Sequence, residues 1–419
     1  RGGDKVVEVG GATQTCEFQP GNYVNPGPWR IPHHHRTLLH YTKAFGVELE
    51  PFIQLNHNAW VHNSKAFGGK PQRYKELAVD YKGHVSELLG KSLNAGALDD
   101  KVTKEDKERL VQALRDWGLL DGNLNYTSGL RVSGQRGYDR PPGGGVNGAP
   151  TPSKINSLSD VLDSRVWQQM SFFFTNVMQT TMFQPKGGMD MIGKGFAKQL
   201  PGIITYNAKV TKIAQGENGV TVSWQDLTTN AMNEAKADYA GFWGRLAKDY
   251  CVCTIPLGVL NQLELQASAP LKAAIAAVPY SNSVKMGLEM RSRFWEEKDA
   301  IYGGHSFTDQ QISLISYPNY DFFGDKPAVL LGAFAGGAAG YALAGMTPEQ
   351  RIEAALKQGS VFHPEDYRKE FMNGVSLAWS RTPWIMGCCA TWSEASRAQH
   401  YQNLVSMDGR LDLAGEHAS

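Results

Sequence analysis

The chain has 419 residues, more than one hydrophobic core usually supports, so two or three domains are expected. Its 42 Lys and Arg residues balance 41 Asp and Glu for a net charge of +1, which argues against a nucleic-acid partner or a polybasic membrane surface. No run of about 18 apolar residues occurs, so no membrane span is expected, and five cysteines do not make a disulfide scaffold.

The first informative segment is Gly27-Pro28-Trp29-Arg30-Ile31-Pro32, followed by Tyr41, Phe45-Gly46 and Asn56-His57-Asn58-Ala59-Trp60. A planar guanidinium such as that of Arg30 offers a fixed fork of donors that matches a carboxylate two bonds at a time. His33, His34 and His35 are adjacent, so their rings point in different directions and read as a loop or helix start, not a metal site. Leu77, Tyr81, Val85 and Leu88 recur near the helical period. A capping pattern at Thr103-Lys104-Glu105-Asp106 opens a second helix carrying Leu110, Leu114 and Trp117, and Gly118 stops it.

Gly143, Gly145 and Gly148 match a dinucleotide fingerprint by spacing alone. Two prolines precede them and Ala149-Pro150-Thr151-Pro152 follows, so no strand enters and no helix leaves: the segment reads as a loop. Residues 159–178 read as helical. After Gly187-Gly188 the pattern changes to strands: Ile203-Thr205, Ala208-Ile213 and Gly219-Trp224 around the Glu217-Asn218-Gly219 turn, then Tyr250-Ile255, in which Cys251-Val252-Cys253 reads as buried. Val284-Met290, Gln311-Ser316 and Val329-Phe334 follow as strands. Thr347-Pro348-Glu349-Gln350 opens a helix running to about Gly359.

Five segments in order resemble the flavin-containing amine oxidase superfamily, L-amino-acid oxidase type. They are the Gly27–Arg30 strip, Phe183-Gln184-Pro185-Lys186-Gly187-Gly188-Met189-Asp190, Lys209-Val210-Thr211-Lys212-Ile213, Thr254-Ile255-Pro256-Leu257 and Leu413-Ala414-Gly415-Glu416. Each alone is weak; together they cover most of the chain. The resemblance implies a mixed α/β fold: a doubly wound FAD-binding domain, incomplete here, a mixed-sheet substrate domain and a helical domain, interleaved in sequence. The expected segments are 1–71 for the strip, 72–182 helical, 183–268 FAD-binding, 269–374 substrate and 375–419 FAD-binding again.

The resemblance also assigns roles. Gly27, Pro28, Trp29 and Arg30 would run beside the flavin, with Arg30 on the substrate carboxylate; Val210 would face the adenine, and Gly415 and Glu416 the ribityl and phosphate. Lys285, in Val284-Lys285-Met286-Gly287, is similar to a lysine that holds a water next to flavin N5, and Trp384 falls where an aromatic walls the slot. Cys388-Cys389 lie close to where some monoamine oxidases attach FAD through a thioether, although Gly387-Cys388-Cys389-Ala390 departs from their Gly-Gly-Cys-Tyr. The implied reaction converts an L-amino acid and O2 to a 2-oxo acid, ammonia and hydrogen peroxide, in a monomer or a homodimer. Rivals on the same fold are a monoamine or polyamine oxidase and an amino-acid monooxygenase. The family's phosphate-binding glycine loop and its last flavin helix have no counterpart, Gly10-Gly11-Ala12-Thr13 being a superficial echo, so a catalytically silent fragment is the reading from another class.

Overall fold

The computed structural model describes residues 1–144, 148–217, 219–235 and 250–418. Gly145 of the glycine-rich loop and Asn218 of the expected turn lie outside these residues.

The centre is a seven-stranded mixed sheet. Its order is Phe371–Ala378, Ser283–Met290, Ala328–Gly336, Leu314–Ser316, His305–Thr308, Trp60–His62 and Gln72–Arg73, and only the pair His305–Thr308 with Trp60–His62 is parallel. All eight residues of Ser283–Met290 are buried, yet the strand alternates in chemistry. Val284, Met286, Leu288 and Met290 enter the main core with Phe294, Trp295 and Tyr367. Lys285, Gly287 and Glu289 face the other way, onto the N-terminal segment: Lys285 Nζ donates to Gly27 O, a Cβ on Gly287 would lie 2.8 Å from Val24 Cβ, and Glu289 accepts from Gln19 N and Asn22 Nδ2. Because side chains alternate with period two, a one-residue slip would send Lys285 and Glu289 into the apolar core, so register is strongly held.

Helices Gly337–Ala344 and Pro348–Gly359 cover the core face. The second begins with the expected capping box, Thr347 and Gln350 exchanging bonds. Arg351, fully buried on it, donates to the Leu343, Ala344 and Met346 carbonyls and to the carboxylate of Glu8. It therefore caps the preceding helix end and ties the N-terminal segment down.

The strip leads into a three-stranded antiparallel sheet, Ile31–Pro32, Met182–Pro185 and Leu49–Pro51. Helices Tyr74–Asn94 and Lys104–Trp117 form the helical region with three shorter ones. The stretch expected as one helix over 159–178 is broken at Arg165, which sits at φ 56°, into Leu158–Ser164, Val166–Phe172 and a short turn at Asn176–Met178. Trp117 is exposed and lies under the Lys82 ammonium instead of entering the core.

Three strand expectations are corrected. Ile203-Thr205 is turn and coil with exposed isoleucines, since apolar β-branched residues there have no neighbouring strand to pair with. Tyr250-Ile255 shortens to Cys251–Cys253, and Gln311-Ser316 to Leu314–Ser316. Cys251–Cys253 pairs in parallel with Leu411–Leu413; Cys253 is buried, but Val252 is 64% exposed because the described residues cover this two-stranded sheet on one face only. Its apolar side packs against helices Leu257–Leu260, Ala269–Ala277 and Glu394–Val405 through Leu257, Leu271, Ile275 and Leu404.

Candidate active site

Lys285 is the most constrained titratable group at the strip. It is 4% exposed, its ammonium donates to Gly27 O at 2.5 Å, and the rings of Trp29 and Phe334 lie 4.3 and 4.5 Å away. Burial, and secondarily the positive charge of Arg30, pushes its pKa down to about 7, while a negative charge on Cys388 would act in the opposite sense. The aromatic faces recover part of the lost hydration, which is how a lysine persists here without a carboxylate.

Arg30 is half-buried and makes no ion pair among the described residues. One terminal nitrogen lies 2.9 Å from the Met178 sulfur, a weak acceptor, and Nε is buried with no hydrogen-bond partner. Desolvation lowers its pKa. A guanidinium left this way is costly, so the geometry calls for an anion that the described residues do not supply.

Trp29 points away from Arg30 into an aromatic cluster. It stacks on His305 with centroids 5.1 Å apart and planes 9° from parallel, and meets Phe52 and Phe334 edge-on or tilted. His305 is fully enclosed, neither ring nitrogen has a hydrogen-bond partner, and burial pushes its pKa down to about 3, so it is neutral. No sequence motif singles it out. Its only signal is the preceding Gly303-Gly304 pair, both at positive φ, where a Cβ would collide with Asn319 and with Asn56.

The C-terminal segments meet the strip from the other side. Trp379 Nε1 donates to Pro26 O at 2.7 Å and packs on Gly27. The loop Gly387–Thr391 runs antiparallel to Pro279–Asn282, just before the Lys285 strand, and Ala390 N donates to Glu416 Oε1 at 2.8 Å. Gly415, at φ 136°, makes the turn, and buried His417 meets Tyr280 OH at 3.3 Å while its Nε2 has no partner. Gly27, Lys285, Cys388 and Glu416 are thus on adjoining segments.

Trp384 is elsewhere. It is 52% exposed at φ 70°, carries the Lys209 ammonium 5.2 Å from its ring, and lines a groove of about 300 Å³ with Val210, Leu227, Pro256 and Leu263. Trp384 and Val210 are therefore brought together, in a groove that does not include the residues of the Arg30 strip. A second cavity, of about 50 Å³, lies under Trp29, lined by Tyr23, Asn25, Gln184 and Tyr320; neither space is lined by Arg30 or Lys285.

The family model for flavin-containing amine oxidoreductases matches residues 7–419. The chain belongs to this family. Among its relatives, an L-amino-acid oxidase of Siganus canaliculatus is 26% identical over 98% of this chain and 75% of that protein, and one of Vipera ammodytes ammodytes is 27% identical over 98% and 81%. The solved cyclohexylamine oxidase from Brevibacterium oxydans IH-35A aligns with a TM-score of 0.58 at 17% identity, over 96% of this chain and 84% of that one, which shows the shared mixed α/β fold.

As a flavin-containing amine oxidoreductase the protein is an oxidoreductase with FAD as its cofactor, acting on small-molecule amines with O2. The residues present fit that cofactor. Buried polar atoms without partners at Arg30 and His417, a lysine buried against a backbone carbonyl, and apolar walls between them are what a large heterocycle with polar edges requires. None of the described helices is long and apolar enough to cross a membrane, and the described residues contain no group of three His, Cys, Asp or Glu arranged to hold a metal ion.

Proposed function

We propose that this amine oxidoreductase deaminates L-amino acids oxidatively, giving a 2-oxo acid, ammonia and hydrogen peroxide. The observation that carries this is the half-buried Arg30 guanidinium with no acidic partner among the described residues: a substrate carboxylate would satisfy it, and a simple amine would leave it unpaired. The curated relatives bearing the name L-amino-acid oxidase support the same reading.

FAD, when bound, supplies the two-electron oxidation of the substrate and the reduction of dioxygen. The Gly27–Arg30 backbone and Lys285 would hold its reactive ring, Gly415 and Glu416 its middle, and Val210 its adenine. Trp384, sharing a groove with Val210, is assigned to that adenine end in place of the slot wall. Arg30 anchors and orients the carboxylate. Lys285, poised near pH 7, takes up or releases a proton at the Gly27 side without leaving its cage, and Trp29, Phe52 and Phe334 keep bulk water out. His305, being neutral, adds no charge to compete with the substrate amine. The segments 1–71, 72–182, 183–268, 269–374 and 375–419 are the proposed division of labour.

The test is anaerobic reduction of the FAD-loaded protein by L-amino acids and by their decarboxylated amines, repeated with Arg30→Ala. Losing a charge-assisted bidentate contact of about 1.5–3 kcal/mol should weaken amino-acid binding roughly 10- to 100-fold. Reduction by amines that is indifferent to Arg30 would instead mark an amine oxidase, and carbon dioxide and an amide as products would mark a monooxygenase.

A further inference from the structure

Two adjacent, exposed thiols, Cys388 and Cys389, lie on the loop that joins the Lys285 and Glu416 ends of the site. The loop is fixed by its backbone: Cys388 N donates to Ser281 O at 2.7 Å, Ser281 N to Cys389 O at 2.9 Å and Thr391 N to Pro279 O at 2.8 Å. Gly387 is needed for the close approach, since a Cβ there would lie 2.5 Å from Tyr280 Cβ. Cys389 Sγ is 3.0 Å from Ser281 Oγ, the two thiols interact with each other, and the next residue, Ala390, gives its N–H to Glu416. On the other flank, Cys388 is near enough for its charge to act on Lys285.

We propose that Cys388 and Cys389 form a dithiol switch that hydrogen peroxide closes to a vicinal disulfide, loosening the Glu416 contact and with it the hold on FAD. It rests on the proposed function for the source of peroxide during turnover and for the assignment of Glu416 to FAD; peroxide from elsewhere closes the dithiol equally. The Cys388 sulfur attacks one peroxide oxygen, the O–O bond breaks, and a sulfenic acid and one water result. The Cys389 sulfur then attacks the Cys388 sulfur, the S–S bond forms, the S–O bond breaks and hydroxide leaves as water with the Cys389 proton. Two thiols lose two electrons and two protons, and one peroxide becomes two waters. Cys388 is the first attacker because burial and its neighbour raise the pKa of Cys389, keeping that thiol protonated.

Reversibility follows from geometry. Consecutive Cα atoms are about 3.8 Å apart across a trans peptide, shorter than the roughly 4.4–6.8 Å of relaxed disulfides, so the ring is strained and thiols reopen it readily. The dithiol is therefore the resting state. Closure draws Cys389 Sγ away from Ser281 and twists the backbone that presents Ala390 N–H to Glu416.

The experiment treats the FAD-loaded protein with hydrogen peroxide, blocks remaining thiols with iodoacetamide, and weighs the tryptic peptide of residues 382–397. Untreated protein should give the doubly alkylated peptide. Treated protein should give an unalkylated peptide lighter by two hydrogens, with FAD held about tenfold more weakly, the size expected for one lost hydrogen bond to a charged group. Dithiothreitol should reverse both changes, and in Cys389→Ser peroxide should leave FAD retention unaltered. Sulfinic or sulfonic acids without the disulfide, flavin covalently attached to either cysteine, or a disulfide that forms with no change in FAD retention would overturn the proposal. A second arm replaces peroxide by an L-amino acid under air, with and without catalase. Closure by added peroxide but not by turnover refutes the amino-acid oxidase reading and leaves the switch standing; closure in both arms, suppressed by catalase in the second, supports both.

Discussion

Replacing Lys285 by Met tests whether the site contains a buried, titrating lysine. Burial lowers its pKa from 10.5 to about 7, so between these values the unfolded chain holds a proton that the folded chain does not. Stability then rises with pH by about 1.4 kcal/mol per pH unit across that window. The sign follows from the depressed folded pKa: the cost of the buried charge is full below pH 7 and fades as pH climbs toward 10.5. From pH 6 to pH 9 the gain amounts to about 2.6 kcal/mol, and Met, with no proton to lose, forfeits it. Met also gives up the bond to Gly27 O, worth about 1 kcal/mol at either pH. Urea midpoints of the flavin-free parent and Lys285→Met, read by tryptophan fluorescence at both pH values, isolate this term because other groups cancel in the difference. The advantage of Met over Lys should shrink by about 2.6 kcal/mol from pH 6 to pH 9. Parallel pH dependences would refute the reasoning and place Lys285 in contact with water.

Two further outcomes are expected. Because the Arg30 charge helps to depress Lys285, a carboxylate ligand on Arg30 should raise the Lys285 pKa; benzoate binding near pH 7.5 should then take up protons, measured by calorimetry in buffers of different ionisation enthalpy, and Arg30→Ala should abolish the uptake. Arg351→Ala, which removes one of the two guanidiniums on the buried Glu8 carboxylate, the other being that of Arg381, and takes a side-chain donor from three backbone carbonyls, should destabilise the protein by about 1.5–3 kcal/mol in urea unfolding, whereas Arg368→Ala, which breaks only an exposed pair with Glu353, should leave the urea midpoint nearly unchanged.

The strip and Lys285 were legible because each breaks a local expectation in an ordered context. An arginine follows a turn-forming Gly-Pro and leads into a buried β pair at Ile31, and a lysine interrupts an apolar alternation. The capping box at Thr347 and the N-cap at Thr103 were legible for the reason they form, since their bonds are local. What failed depends on distant partners. Val252 and Ile203 carry strand chemistry, but whether such residues are buried is decided by what lies across the sheet. Trp384 sits five residues after Trp379, which does reach the strip, yet the left-handed turn at Trp384 and Met386 redirects its ring to Lys209 and Val210. His305 was invisible because its significance is an absence of partners, which no sequence pattern records.

The site's electrostatics explain why its three basic side chains coexist. Arg30 is the cation that desolvation does not readily neutralise, owing to its high intrinsic pKa. Placing a second full charge beside it in an aromatic cage would add repulsion to the desolvation cost, and the chain avoids this by letting Lys285 approach neutrality and His305 reach it. The result is close to one positive charge without an anionic partner among the described residues, beside an aromatic cage. A zwitterionic amino acid brings a carboxylate that compensates it and an ammonium that must shed a proton before oxidation, and Lys285, near its midpoint at neutral pH, is the neighbouring group whose proton affinity responds when the carboxylate arrives. On the proposed function, carboxylate anchoring and proton handling are one coupled device, and a substrate without the carboxylate would engage neither half of it.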